Sequence, residues 1–479
     1  IWIPGRLVIK GFVETHTLST INQVNMKFLP DQVVRDFLGR PKNPFVFSEK
    51  EVRSVGILDF DARYGEQRQA IDQVLLNVNS KFDEVATSFS KITGTPPIQK
   101  ICRFPEEGQI DLAIVSLNDP DLNTAELVAD ELIAKNIKCG VISINLYRPF
   151  PAKELALALK GAKAVAILDY SNGSGRAGGA QLSNEVRSAL YSVNVSPEII
   201  SVQVGLGGRA VTIPYLLLIY RVLQDLASTK DHSKARAWLQ NNAPDNVLFL
   251  GNRGNSLPQT DADFDVPITQ KNVQQIVVVG KGGQGVLLLN GLLTGFASIK
   301  DKCALSMVGY GALQRGGGIT LSFKYSEDKI RDYSDIILTD TLVSFEDDIH
   351  LEAMLPQLKV GGTLILDGEP DRYEAIKNKL PEETKVIILP AKSLAIKLFN
   401  NATRTNLILY GAILAHMGIK DDNELAEIIG KLQTMPSVAK EANILTRPKG
   451  MAGIFSGFYS YQSATKKINL EVSTQNGVD

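Results

Sequence analysis

From Val52 to about Asp225 the chain alternates short apolar runs with longer stretches whose apolar residues recur every three or four positions. Val55–Leu58, Ile110–Ser116, Cys139–Ile144, Val165–Asp169 and Ile199–Val204 read as strands, because each is a short apolar run bounded by polar or turn residues. Gln67 to Phe89 carries Ile71, Val74, Leu75, Val78, Phe82, Val85 and Phe89 on one stripe and reads as a single long amphipathic helix. Thr124 to Lys135 reads as a second helix, capped by Thr124. The alternation resumes from about Val273 to Leu470, with strands expected at Val277–Val279, Thr320–Phe323, Ile336–Leu338, Gly362–Asp367 and Lys385–Leu389. Helices are expected there at Phe345–Leu358, Leu394–Phe399 and Thr405–His416. Strands with no polar face need cover on both sides, so the fold class is α/β with two successive open, mainly parallel sheets and helices on both faces.

The flanking stretches differ. Residues 1–48 hold one short apolar run, Leu7–Ile9, and one helix-like segment, Asp31–Leu38, too little apolar surface for a core. Residues 241–270 are rich in Asn, Asp, Pro, Gly and Thr and read as a linker between a unit at 49–240 and another at 271–470, with 471–479 as a tail. The segment Lys234–Gln240 before the linker reads as a helix. The start, Ile1-Trp2-Ile3-Pro4-Gly5, shows neither an initiating Met nor a basic-then-apolar leader, and the chain is expected to begin inside a longer or processed polypeptide.

Charge and cysteine content narrow the functions. Lys plus Arg at 51 against Asp plus Glu at 52 offers a polyanion no long-range steering, so nucleic acid is not an expected partner. Cys102, Cys139 and Cys303 are far apart and form no C-x-x-C pair, so this chain is not expected to hold a cluster or a structural zinc alone. That thiol usage suits a reducing cytoplasm. No uninterrupted apolar window is long enough for a membrane span. The histidines at 16, 232, 350 and 416 are dispersed, and no serine sits in a G-x-S-x-G elbow, so neither metal ligands nor a hydrolytic triad is assigned.

The candidate chemistry lies in glycine clusters. Val277-Val278-Val279 runs into Gly280-Lys281-Gly282-Gly283-Gln284-Gly285 and then into an apolar stretch, the pattern of a buried strand, a tight turn and a helix. Such a turn lets backbone N–H groups and the helix dipole meet an anion. Gly280, Gly282 and Gly285 fit G-x-G-x-x-G, while Gly283 and Gln284 add a glycine and an amide foreign to the dinucleotide fingerprint. A second cluster, Gly309-Tyr310-Gly311 and Arg315-Gly316-Gly317-Gly318, follows. Arg315 suits bidentate recognition of phosphate or carboxylate, or equally a salt bridge at an interface. Arg148, in Tyr147-Arg148-Pro149-Phe150-Pro151, carries the same two readings.

These motifs, with Tyr333-Ser334-Asp335-Ile336 and the Asn406-Leu407-Ile408-Leu409-Tyr410-Gly411-Ala412 segment, resemble the gamma domain of the 2-oxoacid:ferredoxin oxidoreductases. Tyr147–Pro151 and the glycine-rich run after Asp169, ending at Glu185-Val186, resemble the domain that precedes it in the pyruvate-type enzymes. Glu14-Thr15-His16-Thr17 is a degraded match to the turn closing their first domain, and Tyr170 stands where the family often has arginine. The resemblance implies a C-terminal remnant of a thiamine diphosphate pyrimidine-type domain at 1–48. A transketolase C-terminal-like domain follows at 49–240 and a Rossmann-like gamma domain at 271–470. It implies a part in oxidative decarboxylation of pyruvate, favoured by the domain order, or a related 2-oxoacid, giving acyl-CoA, carbon dioxide and reduced ferredoxin. This chain would supply a scaffold and a coenzyme A surface at Gly280, Gly282, Gly283, Gln284, Gly285, Arg315 and Arg148. Thiamine diphosphate, magnesium and 4Fe-4S clusters would lie on other domains or partner chains of an oligomer, and the chain alone would be inactive. The alternatives are a self-contained nucleotide-binding oxidoreductase or acyl-CoA ligase, and a degenerate structural subunit.

Overall fold

The computed structural model describes residues 64–479 apart from 118–120, 174–178, 207–210, 234–246, 250–267, 269, 271, 311–317, 346–348, 370–373, 375, 436–444, 446 and 476–479. The remnant expected at 1–48, the strand expected at 55–58, the helix expected at 234–240 and Arg315 therefore lie outside the described residues.

The first sheet is built from β1 (Ile101–Phe104), β2 (Leu112–Leu117), β3 (Cys139–Ile144), β4 (Ala164–Asp169), β5 (Glu198–Gln203) and β6 (Val247–Phe249), in the order β1-β3-β2-β4-β5-β6. All neighbours are parallel except β1 with β3. Because side chains alternate faces along a strand, Ile114, Ala166 and Leu168 join one core with helices α3 (Asp121–Ala134) and α6 (Ile213–Thr229). Ala113, Val115, Val165 and Ile167 join the opposite core with α4 (Ala152–Ala158) and α5 (Gln181–Tyr191). Both faces are buried, as the unbroken apolar runs require.

The second sheet holds β7 (Gln274–Lys281), β8 (Cys303–Tyr310), β9 (Gly318–Ser326), β10 (Thr339–Ser344), β11 (Leu358–Asp367) and β12 (Lys385–Leu389), in the order β12-β11-β10-β7-β9-β8. The β7, β10, β11 and β12 pairings are parallel, and β9 runs antiparallel to both neighbours. Val278, Val343 and Ile365 pack on one face against α7 (Val286–Ile299), α10 (Thr405–His416), α11 (Asp422–Gln433) and α12 (Pro448–Gln475). Val277, Leu342 and Leu364 pack on the other face with Leu351 and Leu355. Helices α10 and α12 cross at glycines: a Cβ added to Gly457 would lie 1.8 Å from the Ile408 carbonyl oxygen, and one at Gly411 1.9 Å from that of Ile454.

Several elements differ from the sequence expectation for physical reasons. The stripe from Gln67 to Phe89 is two helices, α1 (Tyr64–Leu76) and α2 (Val78–Thr93), separated at Asn77, and Ile71, Val74 and Phe89 are exposed while Phe82 and Ala86 are buried. Helix α3 begins at Asp121, so Thr124 is not its cap; Thr124 is buried, and its Oγ1 accepts the Tyr333 N–H at 2.8 Å. Ile336–Leu338 is not a strand. The chain enters the sheet at Thr339, and Ile337 and Leu338 stay exposed. The helix expected at Phe345–Leu358 is confined to α8 (Ile349–Met354) and a 3-10 turn, because Leu358 already opens β11. The segment expected as linker contributes β6, which pairs with β5, and α12 runs into the expected tail as far as Gln475.

The two sheets are joined through the β9–β10 connection. Lys324, 1% exposed, extends from β9, and its Nζ donates to Asp332 O (2.8 Å), Asp332 Oδ2 (2.7 Å) and Ser334 O (2.8 Å). Burial pulls its ammonium below the usual lysine range, and Asp332 opposes that shift. The loop so folded presents Arg331 to Asp130 and over the Phe104 ring, and the Tyr333 N–H to Thr124. The Gln270 side chain brackets it from behind, accepting from Arg331 N and donating to Lys329 O. This clamp sits where β7 begins, at the far end of the sheet from the glycine turn.

Candidate anion site at the glycine turn

The turn follows β7, the strand between β10 and β9, at the end where the sheet's connections diverge; in open α/β sheets ligands bind beyond such strand ends. Gly280 has no room for a side chain: a Cβ there would meet Val286 Cγ2 at 2.9 Å, Gln284 Oε1 at 3.0 Å and Phe345 Cδ2 at 3.3 Å. Gly283 and Gly285 have φ of 96° and 81°, the left-handed region that favours glycine. Gln284 closes the turn with both its groups, its N–H donating to Lys281 O at 3.1 Å and its Oε1 accepting the Lys281 N–H at 2.6 Å. The amide oxygen thus serves the turn itself.

Gly285 caps α7, and its carbonyl accepts the Leu289 N–H at 3.0 Å. The N–H groups of Val286, Leu287 and Leu288 have no acceptor within the helix by their position, and the dipole of this 14-residue helix adds to their pull on an anion. Asn406, on α10, donates from Nδ2 to the same Gly285 carbonyl at 3.3 Å. It is 1% exposed, and its Oδ1 is buried without a hydrogen-bond partner.

Among the residues expected at the site, Gly280, Gly282, Gly283, Gln284 and Gly285 form this one turn. Arg148 belongs to the first sheet: Nη2 pairs with Glu185 Oε1 at 2.5 Å, Nη1 donates to Tyr147 O at 3.0 Å, and the guanidinium lies 4.1 Å over the Tyr147 ring. Tyr170, in the place of the family arginine, donates its hydroxyl to Asp121 Oδ2 at 3.0 Å. The connection that carries Arg315 is anchored by Tyr310, paired with Ile319, and by Gly318, paired with Lys281, so its two ends meet the sheet at the glycine-turn end. Sequence reasoning assigned no role to Asn406; the available signal was one amide opening an otherwise apolar helix. Among the described residues no three His, Cys, Asp or Glu side chains converge as a metal site, and no helix is long and apolar enough to cross a membrane.

Comparison with known proteins agrees with the motifs. Residues 275–444 match the family Pyruvate ferredoxin/flavodoxin oxidoreductase, and residues 111–216 match Pyruvate:ferredoxin oxidoreductase core domain II. The pyruvate synthase subunit PorA of Thermotoga maritima is 31% identical over 210 residues, 43% of this chain and 50% of that one. The pyruvate-flavodoxin oxidoreductase of Enterobacter agglomerans is 24% identical over 393 residues, 80% of this chain and 31% of its own length. This chain thus spans about half the length of the PorA relative. The crystal structure of pyruvate oxidoreductase subunit PORC from Thermotoga maritima overlays with a TM-score of 0.32 at 16% identity, taking in 40% of this chain and 97% of that one. With both matched regions in the expected order, the chain belongs to the 2-oxoacid:ferredoxin oxidoreductase family.

Proposed function

We propose that this chain is part of an enzyme that oxidatively decarboxylates pyruvate or a related 2-oxoacid, and that the turn at Gly280–Gly285 is its surface for the phosphates of coenzyme A. The observation that carries the reading is the turn itself: left-handed glycines at a strand end, opening a helix whose first N–H groups are uncommitted within it. The residues fit the group. A phosphate needs close backbone approach, which Gly283 allows, since nothing lies within 4 Å of the place a Cβ would occupy. Arg315, by its place in the sequence, is the proposed counter-cation. Coenzyme A, when bound, supplies the thiol that accepts the acyl group. The task of this chain is to hold the phosphate end and keep the thiol arm directed toward a reaction centre on another domain or subunit. Thiamine diphosphate and iron-sulfur clusters are assigned to those partners, and ferredoxin is the proposed acceptor of the electrons.

The test compares Arg315→Gln and Arg315→Lys in the assembled complex, titrated with coenzyme A and with desphospho-coenzyme A. Loss of a charged hydrogen-bond pair costs about 1.5–3 kcal/mol, roughly ten- to hundred-fold in affinity. If Arg315 reads the 3'-phosphate, the substitutions narrow the gap between the two ligands. Equal losses for both ligands, or dissociation of the complex, assign Arg315 to an interface instead.

A further inference from the structure

Strand β1 is the outermost strand of the first sheet, and among the described residues only β3 pairs with it. Its free side lines a cleft of about 1240 Å³ that follows the sheet edge. Leu122, Asn123 and Glu126 of α3 wall the cleft on one face of the sheet, and Glu154, Leu157 and Ala158 of α4 wall it on the other. Sheet edges are ordinarily blunted by charge, proline or cover, because their unpaired N–H and C=O groups recruit another strand. Here the cations that would blunt the edge are turned aside. Lys100 Nζ is held by Asp83 Oδ2 at 3.1 Å, and the Arg103 guanidinium folds back onto the carbonyls of Pro105 and Gly108. Glu106, Glu126 and Glu154, by contrast, line the cleft with no cation bonded to them among the described residues. Burial raises the Glu126 carboxyl above its usual range even with Arg331 and Lys329 nearby, so a further cation there would favour its charged form. Ile98 and Leu157, 47% and 73% exposed, add apolar surface. The side chains of an extended segment alternate, so each wall would meet every second residue of a strand laid along this edge.

We propose that the cleft takes an extended segment of a partner protein, basic and apolar in composition, which adds to the first sheet as a strand beside β1. The carboxylates on both walls select the charge of the segment, and the free edge of β1 supplies its backbone partners.

The probe is a fluorescein-labelled peptide, Lys-Lys-Val-Val-Lys-Lys, which when extended turns one valine and two lysines toward each wall. Its binding to the full chain at low salt is followed by fluorescence anisotropy, and the amides of residues 101–104 by hydrogen–deuterium exchange. The expected result is binding that slows exchange in β1, is lost when the backbone nitrogens of the peptide are methylated, and is absent for Glu-Glu-Val-Val-Glu-Glu. Glu106→Lys combined with Glu154→Lys changes two exposed positions, and circular dichroism confirms that the variant is folded. It weakens binding roughly tenfold and flattens the salt dependence. Failure of the peptide to bind, equal binding of the methylated peptide, or wild-type binding by the double variant overturns the proposal. Exchange in β1 that is already slow without peptide also overturns it, since the chain then covers its own edge. Self-association of the chain that the peptide disperses overturns it as well, since the occupant is then a second copy.

Discussion

Replacing Gly285 with alanine separates the two reasons a glycine stands in the turn. Gly283 and Gly285 share the left-handed backbone, so alanine at either costs the strain of that region, about 1–2 kcal/mol. Around Gly283 there is nothing else to disturb. At Gly285 the new methyl would lie 2.3 Å from Asn406 Nδ2 and 2.9 Å from its Cγ, and Asn406 is walled in at 1% exposure. Overpacking of a filled site adds about 1–3 kcal/mol, and the lost bond from Asn406 to the Gly285 carbonyl adds about 0.5–1.5 kcal/mol. Gly285→Ala is therefore expected to destabilise the second sheet by roughly 3–6 kcal/mol, against about 1–2 kcal/mol for Gly283→Ala. Hydrogen–deuterium exchange of peptides from β7 and α7, read by mass spectrometry, reports this sheet apart from the first. Protection in Gly285→Ala should fall at least about tenfold below that in Gly283→Ala, since 1.4 kcal/mol is a factor of ten. Equal exchange in the two variants would refute the claim that Asn406 is seated against the turn.

Lys324→Met strands the Asp332 carboxylate and two carbonyls, so the β9–β10 clamp should weaken by about 3–5 kcal/mol. Limited proteolysis should then cut at 327–338, whereas Arg331→Gln, which breaks a half-exposed pair, should change little. Burial pushes the Cys139 thiol up to about 12, so in the folded chain Cys102 should react with maleimide at mildly alkaline pH while Cys139 does not. Because that folded value is raised, its contribution to stability is complete below the ordinary thiol range and is lost as pH rises toward about 12. Alkaline melts should show this loss, and Cys139→Ser should remove it. His416, bonded to Thr341 and Tyr461 and held below the usual imidazole range by burial and by Lys385, runs the opposite way. Stability present at neutral pH is lost on acidification through and below the ordinary imidazole range, and His416→Gln should flatten that dependence.

What could be read from the sequence was whatever a single run decides. Cys139–Ile144 and Thr405–His416 form as expected because nearly all of their residues are buried, and a continuous apolar run then suffices to define them; Lys385–Leu389 also forms, as an edge strand that buries Ile387 and Leu389. The stripe from Ile71 to Phe89 misled because periodicity reports amphipathicity and not its partner; much of that stripe faces outward on α1 and α2. Ile336–Leu338 misled for the related reason that strand membership is set by register with Ile276 and Thr363, not by local hydrophobicity. The glycines of the turn were legible because a positive φ needs a particular residue. Asn406 was not, since it lies more than a hundred positions from Gly285 and reaches it only through the packing of the helix it opens.

The most direct test of the account is to purify this chain with its natural partners from its source and assay the assembly for pyruvate-dependent dye reduction with and without coenzyme A. The account predicts a brown assembly that oxidises a 2-oxoacid only when coenzyme A is present, with Arg315→Gln raising the coenzyme A requirement roughly ten- to hundred-fold. An assembly lacking 2-oxoacid oxidation, or one whose activity is indifferent to coenzyme A and to Arg315, would contradict it.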